Sequence, residues 1–218
     1  MSGPGNNRAL LLDFGGVLTT PVWDSFAAFC REQDLEEEAV KRLFREDPGA
    51  LSDLRELETG RMSEVEFERR FAERLGLTDG ADLIESLFRG MLPDERMVAA
   101  TRRARDAGVP TALVSNSWST SHYDRELLAQ IFDNLVISGE VGMNKPDPEI
   151  YLLAAQRLEV EPPTCVFVDD LRENCEGAEA VGMTAVRHRS ADETLPRLSE
   201  LLGVDLDAGS NQHHAEQR

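Results

Sequence analysis

Four short segments of the chain consist almost entirely of consecutive apolar residues, without alternation of apolar and polar positions. This pattern is typical of strands that helices cover on both faces, as in parallel sheets. From about Leu92 onward these segments alternate with helical stretches, which favours βα units. The sequence therefore predicts an α/β fold with a Rossmann-like core of about five parallel strands flanked by helices. The predicted strands are Ala9–Leu12, Val109–Val114, Leu135–Ile137, Cys165–Val168 and, with a weaker pattern, Thr184–Val186.

Residues 22–91 differ from the rest of the chain because they show no strand pattern and a series of amphipathic helices. The clearest helix is Glu64–Leu75, which Ser63 is expected to cap and Gly76 to end. An insertion of about 70 residues between the first and second strands is too long for an ordinary crossover. We expect an all-helical cap that lies over one end of the sheet.

These patterns divide the chain into a core, a cap and two tails. We expect residues 8–19 and 93–204 to form the α/β core and residues 20–92 to form the helical cap. Residues 1–7 and 205–218 are polar and aperiodic, so they are predicted to be disordered. Within the core, Asp147 is the predicted N-cap of a helix that begins at Pro148.

The charge balance restricts the partners of the chain. Its 218 residues include 23 basic and 41 acidic ones, a formal net charge of −18, which argues against nucleic acid or an anionic membrane surface as the main partner. No apolar run reaches the roughly 20 residues of a membrane span, and the first residues lack a signal-peptide pattern. Three cysteines without metal-ligand spacing fit a reducing compartment. We expect a cytoplasmic protein that captures any anionic substrate with a metal or with aimed donors.

Polar residues follow each of the first four predicted strands. In a doubly wound parallel sheet the ligand lies beyond the carboxyl ends of the strands. Taken singly, a strand-ending aspartate, a Ser-Asn turn and an exposed lysine each have an ordinary structural explanation. The lysine precedes a predicted helix N-terminus, where the helix dipole disfavours a cation. The four groups, in chain order, are Asp13, then Ser115 with Asn116, then Lys145, then Asp169 with Asp170.

Asp169 and Asp170 are the least ordinary of these residues. Adjacent carboxylates at the end of a buried strand repel each other unless a cation lies between them or one is protonated. Oxygen ligands with no His or Cys nearby are typical of Mg²⁺ rather than zinc. The pair therefore indicates a magnesium site.

In this order, the four groups and their neighbours resemble the haloacid dehalogenase superfamily of hydrolases. The similarity extends from about Arg8 to Leu202, and the position of the helical insertion matches the type-1 cap of that family. It is most specific for the subgroup of sugar-phosphate phosphatases and the N-terminal phosphatase domains of epoxide hydrolases. The segments that carry it are residues 13–18, 113–116, 142–151 and 167–178.

The resemblance implies a Mg²⁺-dependent phosphatase acting on a small phosphorylated metabolite. Asp13 would be the nucleophile that forms an aspartyl-phosphate. The metal would be held by Asp13, by the backbone carbonyl of Gly15 and by Asp170, with help from Asp169. A cation is required there because a carboxylate and a phosphate repel each other.

The resemblance also implies roles for the remaining polar residues. Ser115 and Asn116 would bind the phosphoryl oxygens, and Lys145 would neutralise charge on the nucleophile and the phosphoryl group. Asn174 would orient the metal-binding carboxylates from outside. Trp118, which follows the Ser-Asn turn, either contacts the substrate beneath the cap or packs between cap and core.

Gly15 departs from the pattern of the family's phosphatases, which usually carry a second aspartate there as general acid and base. Such help is typically worth about 10²–10⁴-fold in rate. Its loss fits a substrate with a good leaving group, replacement of the acid by another group, or a weak or silent module that binds a phosphoryl ligand or a protein partner. A dehalogenase-like hydrolase is a further alternative, since dehalogenases of the family also lack this aspartate. They do not use Mg²⁺, however, and the pair Asp169 and Asp170 favours phosphoryl chemistry.

Overall fold

The computed structural model describes residues 9–120 and 123–207. Its centre is a five-stranded parallel sheet with the strand order β3-β2-β1-β4-β5. The sheet confirms the α/β class and the parallel arrangement predicted from the apolar segments, with ends that differ by at most two residues. The strands are β1 Ala9–Leu12, β2 Thr111–Ser115, β3 Asn134–Ile137, β4 Cys165–Asp169 and β5 Thr184–Arg187.

Both faces of the sheet are covered, which explains why the strands do not alternate. In β1, Leu10 and Leu12 pack in the apolar cluster on one face, whereas Ala9 and Leu11 pack in the cluster on the other. All four side chains are at most 1% exposed. Strand β5 lies at an edge and is less buried, in keeping with its weaker sequence pattern.

Eleven α-helices accompany the sheet in the described residues. Five of them lie between β1 and Pro93, and the other six follow Pro93 and flank the sheet. The first five are α1 Val22–Glu32, α2 Ala39–Glu46, α3 Pro48–Glu58, α4 Glu64–Leu75 and α5 Leu83–Phe88. The others are α6 Glu95–Asp106, α7 Arg125–Ile131, α8 Ser138–Val141, α9 Pro148–Arg157, α10 Arg172–Ala180 and α11 Ala191–Leu202.

Helices α1–α5 form the inserted all-helical cap and enclose an apolar cluster of their own, rich in phenylalanine. Helix α4 begins and ends where the sequence predicts. The Ser63 hydroxyl accepts a hydrogen bond from the Glu66 N–H, and Gly76 adopts a φ of 72° after the last turn, a conformation that costs glycine little.

The two connections between cap and core run side by side. The Thr20 N–H donates to the Leu92 carbonyl at 2.8 Å, and Thr19 and Pro93 form an antiparallel bridge. This pairing supports the division at residues 20 and 92, which remains our proposal for the domain boundary.

Two features at element ends differ from expectation. Asp147 occupies the N-cap position of α9, but its side chain caps no backbone N–H. It pairs instead with Arg55 of the cap, at 2.6 Å. Leu206 lies in the tail that was predicted to be disordered from residue 205, but it is fully buried in the core. Its apolar side chain covers the face formed by α6 and α11. The rest of the predicted tails, residues 1–7 and 208–218, lies outside the described residues.

None of the helices in the described part of the chain is both long and apolar enough to cross a bilayer.

Candidate active site

The carboxyl ends of β1, β2 and β4 lie next to one another, because these strands are neighbours in a parallel sheet. Asp13 follows the last residue of β1, Ser115 ends β2, and Asp169 ends β4. The segment after β3 and α8 brings Lys145 to the same edge. The predicted groups from four separate parts of the chain are therefore brought together.

Lys145 bridges two of the carboxylates. Its Nζ lies 2.7 Å from Asp13 Oδ1 and 2.7 Å from Asp169 Oδ2, and the residue is only 3% exposed. Burial by itself lowers the pKa of Lys145, but the two aspartates outweigh it and hold the pKa above its ordinary value. The lysine is therefore a permanent cation at the centre of the site.

The single ammonium group does not balance the negative charge of the site. Burial raises the pKa of Asp13 to about 7, with Lys145 lowering it and Asp169 and Asp170 raising it further. The pKa of Asp170 is raised to about 6 by burial and by Asp169. Three carboxylates and one ammonium leave a formal charge of −2 when all are ionised, which disfavours the ionised state in a buried place.

A divalent cation fits this charge deficit. Oxygen atoms of Asp13, Asp169 and Asp170 all lie within 4.8 Å of one another, and carboxylate oxygens are hard ligands suited to Mg²⁺. Gly16 leaves room for this cluster, since a Cβ atom there would lie 2.8 Å from Asp170 Oδ2, and its φ is +73°.

Asn174 holds the carboxylate of Asp169 in position. Its Nδ2 lies 3.0 and 3.1 Å from the two oxygens of Asp169, which is fully buried. The Leu171 N–H donates to the same carboxylate at 2.9 Å. Both oxygens of Asp169 therefore already accept hydrogen bonds. Asp170 differs from Asp169 in its burial, since it is only half-buried.

Ser115 and Asn116 lie at the site, but the side chain of Asn116 is already engaged. It donates to the Lys145 carbonyl at 3.0 Å and accepts from the Lys145 N–H at 2.8 Å. This two-point bond positions the lysine. The Ser115 hydroxyl is bonded to the Tyr123 hydroxyl at 2.8 Å, and a hydroxyl can still contact a ligand through its second lone pair or its proton.

Glu58 is a site residue that the sequence interpretation missed. It is the last residue of α3 in the cap and is 9% exposed. Its Oε2 accepts from Asn116 Nδ2 at 3.3 Å and from Asn144 Nδ2 at 3.2 Å, so it reaches the core beside Lys145. One sequence signal was present, since a carboxylate in the last turn of a helix is disfavoured by the helix dipole.

The space beside Gly15 is filled by a residue of the cap. A Cβ atom built at this position would lie 2.8 Å from Cγ2 of Val22, the first residue of α1. The cap therefore occupies the space in which a side chain at this position would begin.

Trp118 belongs to the core segment after β2, yet its ring lies in the apolar cluster of the cap. The centroids of Phe26, Phe67 and Phe88 are 5.3–5.4 Å from it. Of the two roles considered for Trp118, packing between cap and core is the one that the contacts favour.

A cavity of about 180 Å³ lies next to this tryptophan, where the α3–α4 connection meets the segment after β2. Four hydroxyl side chains contribute to its wall, and the Ser117 Oγ is buried without a partner among the described residues. The cavity therefore suits a small polar group. It is lined by Leu57, Gly60, Met62, Ser63, Glu64, Ser117, Trp118, Ser119, Thr120 and Gly139.

The chain is similar to known proteins in sequence and in fold. Residues 7–182 match the family model of haloacid dehalogenase-like hydrolases. A stretch of 117 residues is 33% identical to bifunctional epoxide hydrolase 2 of Sus scrofa and covers 50% of this chain, but only 21% of that protein. The sesquiterpene phosphatase astK of Aspergillus oryzae is 28% identical over 205 residues, 90% of this chain and 97% of its own.

Among solved structures, a HAD family enzyme of Bacteroides thetaiotaomicron in complex with magnesium and inorganic phosphate superposes with a TM-score of 0.64. The two share 20% identity over 90% of this chain and 99% of that one. At this level of identity the likeness shows a common fold.

Proposed function

Since the chain belongs to the haloacid dehalogenase-like hydrolases, we propose that it is a Mg²⁺-dependent phosphatase that hydrolyses a small phosphorylated metabolite through Asp13. The observation that carries the proposal is the cluster of Asp13, Asp169 and Asp170 around Lys145. A phosphatase needs a cation between its carboxylate and the phosphate, whereas dehalogenases that resemble this chain do not use Mg²⁺.

The reaction proposed for this site has two steps. A carboxylate oxygen of Asp13 attacks phosphorus in line and forms an aspartyl-phosphate while the bond to the leaving group breaks. Water then hydrolyses the acyl phosphate and regenerates Asp13. Lys145 is placed to balance the negative charge on the nucleophile, and Ser115 and the backbone N–H of Asn116 supply hydrogen bonds for the phosphoryl oxygens.

Asp13, Asp170 and the carbonyl of Gly15 would hold the Mg²⁺ ion, and Asp169, whose oxygens already accept hydrogen bonds, would assist through a water molecule. When bound, the ion reduces the repulsion between carboxylate and phosphate and stabilises the charge that develops during transfer.

Two features support the remainder of the proposal. The hydroxyl-lined cavity begins at Ser117, the residue after Asn116, and would receive a polar organic part of the substrate. The three cysteines are all buried and free, which is in keeping with a reducing compartment such as the cytoplasm.

A panel of phosphate esters, assayed with purified protein in the presence and absence of Mg²⁺, tests the function. It should include sugar 1-phosphates and organic diphosphates, because their leaving groups depart readily. We expect Mg²⁺-dependent release of phosphate from part of the panel. Halide release from a 2-haloacid without Mg²⁺ would instead identify a dehalogenase, and binding of phosphate without turnover would identify a silent module.

Asp170→Asn is expected to weaken Mg²⁺ binding, measured as a smaller rise in thermal stability on addition of the ion. A ligand at 100 times its Kd stabilises the native state by about 2.7 kcal/mol, so the loss is measurable without any substrate. Asp106→Asn is the matched control, because Asp106 is exposed at the end of α6. An unchanged Mg²⁺ titration would mean that Asp170 is structural.

The same experiment has a predicted pH dependence. The pKa of Asp13 is raised to about 7 and that of Asp170 to about 6. Above the ordinary aspartate pKa, the ion-free native state therefore binds more protons than the unfolded state. Stability from this site therefore falls as the pH rises through 6 to 7. We expect the stabilisation by Mg²⁺ to be larger near pH 8 than near pH 5.5, and this difference to shrink in Asp170→Asn.

Gly15→Asp is expected to destabilise the protein rather than to restore an acid, because its Cβ would meet Val22 at 2.8 Å. Overpacking of this kind typically costs about 1–3 kcal/mol. The double variant Gly15→Asp/Val22→Ala removes the contact and should recover stability relative to the single variant. A single variant with wild-type thermal stability and higher phosphatase activity would show that Val22 yields and that crowding does not exclude the side chain.

A further inference from the structure

We propose that Glu58 is the general acid and base of the reaction, in place of the side chain that Gly15 lacks. The inference rests on the proposed phosphatase function. In the first step the Glu58 carboxyl would give its proton to the leaving-group oxygen as the P–O bond breaks. In the second step the Glu58 carboxylate would take a proton from the water that attacks the aspartyl-phosphate, so phosphate is released and both Asp13 and Glu58 return to their starting states.

The position of Glu58 follows from contacts across the boundary between cap and core. Its Oε2 accepts from the side-chain amides of Asn116 and Asn144, at 3.3 and 3.2 Å. Asn116 also holds the backbone of Lys145, whose Nζ lies 2.7 Å from Asp13. The carboxyl group is therefore linked to the nucleophile through two side chains.

Only one oxygen of Glu58 is used by these contacts. Oε1 accepts no hydrogen bond from residues 9–120 or 123–207, and it is not among the fully buried polar atoms of that part of the chain that lack a partner, which are Ser117 Oγ and Asn144 Oδ1. Oε1 is therefore not fully buried, and it is available to carry the transferable proton. The two amides hold the other oxygen and thus fix the orientation of the group.

The surroundings suit a group that must both give and take a proton near neutral pH. Burial raises the pKa of Glu58 to about 7, against the lowering effects of the Asn144 hydrogen bond, of Lys145 and of Arg55 on its own helix. The position at the C-terminal end of α3 also disfavours the carboxylate. A pKa near the working pH is the optimum for general acid–base catalysis.

The location on the cap explains how the chain manages without an acid after β1. Val22 of the cap fills the space beside Gly15, so the same docked cap that excludes an aspartate there brings Glu58 to the core. Arg55, one turn earlier in α3, pairs with Asp147 of the core at 2.6 Å. The acid is therefore in place when the cap is seated on the core.

The dependence of rate on the leaving group tests the proposal. Glu58→Gln keeps the shape of the side chain, and its carbonyl oxygen can still accept from both amides. We expect kcat/KM to fall about 10²-fold for alkyl phosphates and for phosphates on a primary sugar hydroxyl, whose alcohols need a proton to leave, within the range known for general acids. Acetyl phosphate and p-nitrophenyl phosphate have leaving groups that depart without a proton. For these two substrates the rate of the first step should change little.

Glu56→Gln is the matched control, since it makes the same change two residues earlier on the same helix. An equal loss of kcat/KM, which reports on the first step, in Glu58→Gln for good and poor leaving groups would reduce Glu58 to a positioning residue. No loss of kcat/KM for either would contradict the assignment. In both cases the phosphatase function would stand, because the wild-type protein still hydrolyses the esters. A wild-type protein that hydrolyses no ester would overturn both proposals.

A second measurement uses the wild-type protein alone. For alkyl phosphates, kcat/KM should decline as the pH rises through about 7, because the acid loses its proton. This decline should be absent for acetyl phosphate. The same alkaline decline with both substrates, or with neither, would contradict the assignment even if the variant did not fold.

Discussion

Asp13→Asn is expected to lower phosphate release by about 10⁴–10⁶-fold, the range seen when a catalytic nucleophile is removed. The amide of asparagine does not attack phosphorus at a useful rate, so the covalent intermediate is not formed. Asp13 lies 2.7 Å from the Lys145 ammonium at the end of the central strand, and none of the neighbouring groups is placed by the contacts described to take over its role.

The fold should survive this change. Burial raises the pKa of Asp13 to about 7, so ionising this carboxyl costs the native protein stability relative to the unfolded chain, and the full cost is present above that pH. A neutral amide of the same shape relieves this cost, so we expect the free energy of unfolding of the ion-free variant to be equal to or above that of the wild type near pH 8. Loss of activity together with retained stability is typical of a residue kept for catalysis.

Steady-state kinetics and thermal unfolding of the same preparation check both parts. Asp13→Ala is a useful second variant, because alanine does not revert to aspartate by deamidation. Mass spectrometry of acid-quenched wild-type protein should detect a phosphoryl group on the peptide that contains Asp13. Turnover retained by a folded Asp13→Asn protein would contradict the covalent mechanism.

The convergence of the site was predictable because it depends on strand ends alone. Three of the site residues stand at the end of a strand with a clearly apolar sequence, namely Asp13, Ser115 and Asp169. The carboxyl ends of parallel strands lie at one edge of the sheet. Lys145 reaches the same edge through a connection of only a few residues after β3 and α8. The family model and the HAD-like fold confirm the resemblance that these groups suggested.

The contribution of the cap was not predictable in the same way. Helical periodicity indicates which face of α3 is buried, but not that Glu58 meets Asn116, which is 58 residues away in the sequence. The blocking of Gly15 by Val22 likewise depends on how the cap is seated on the sheet. Asn116 was expected to bind phosphate with its side chain, and its two bonds to the Lys145 backbone are visible only once β2 and the segment before α9 are neighbours.

Composition holds one clue to Lys145 that the motif alone does not. The 23 basic residues comprise only two lysines, Lys41 and Lys145, and the rest are arginine. A lysine ammonium is a compact point charge, whereas a guanidinium is a wide planar fork. The 2.7 Å contacts of Nζ with two different carboxylates require the compact cation, which explains why this position departs from the arginine preference of the chain.

Lys145→Met is accordingly expected to impair both stability and activity. Removing one partner of a buried ion pair typically costs about 3–5 kcal/mol, and the side chain here is 1% exposed between two carboxylates. Loss of a charge aimed at the reacting group should lower kcat by about 10²–10³-fold. Lys145→Arg should rescue neither property, since the fork does not fit between the two oxygens.

Denaturant unfolding with and without Mg²⁺ separates this electrostatic role from simple packing. Without the ammonium, Asp13, Asp169 and Asp170 depend more strongly on an added cation, so Mg²⁺ should stabilise Lys145→Met by more than it stabilises the wild type. Lys41→Met is the matched control, because the Lys41 side chain is 51% exposed and its ion pair within the described residues is with an exposed glutamate, an interaction of small value. If Lys145→Met were as stable as Lys41→Met and gained no more from Mg²⁺, the carboxylates would not need the lysine as their counter-charge, and the electrostatic basis of the site would have to be sought elsewhere.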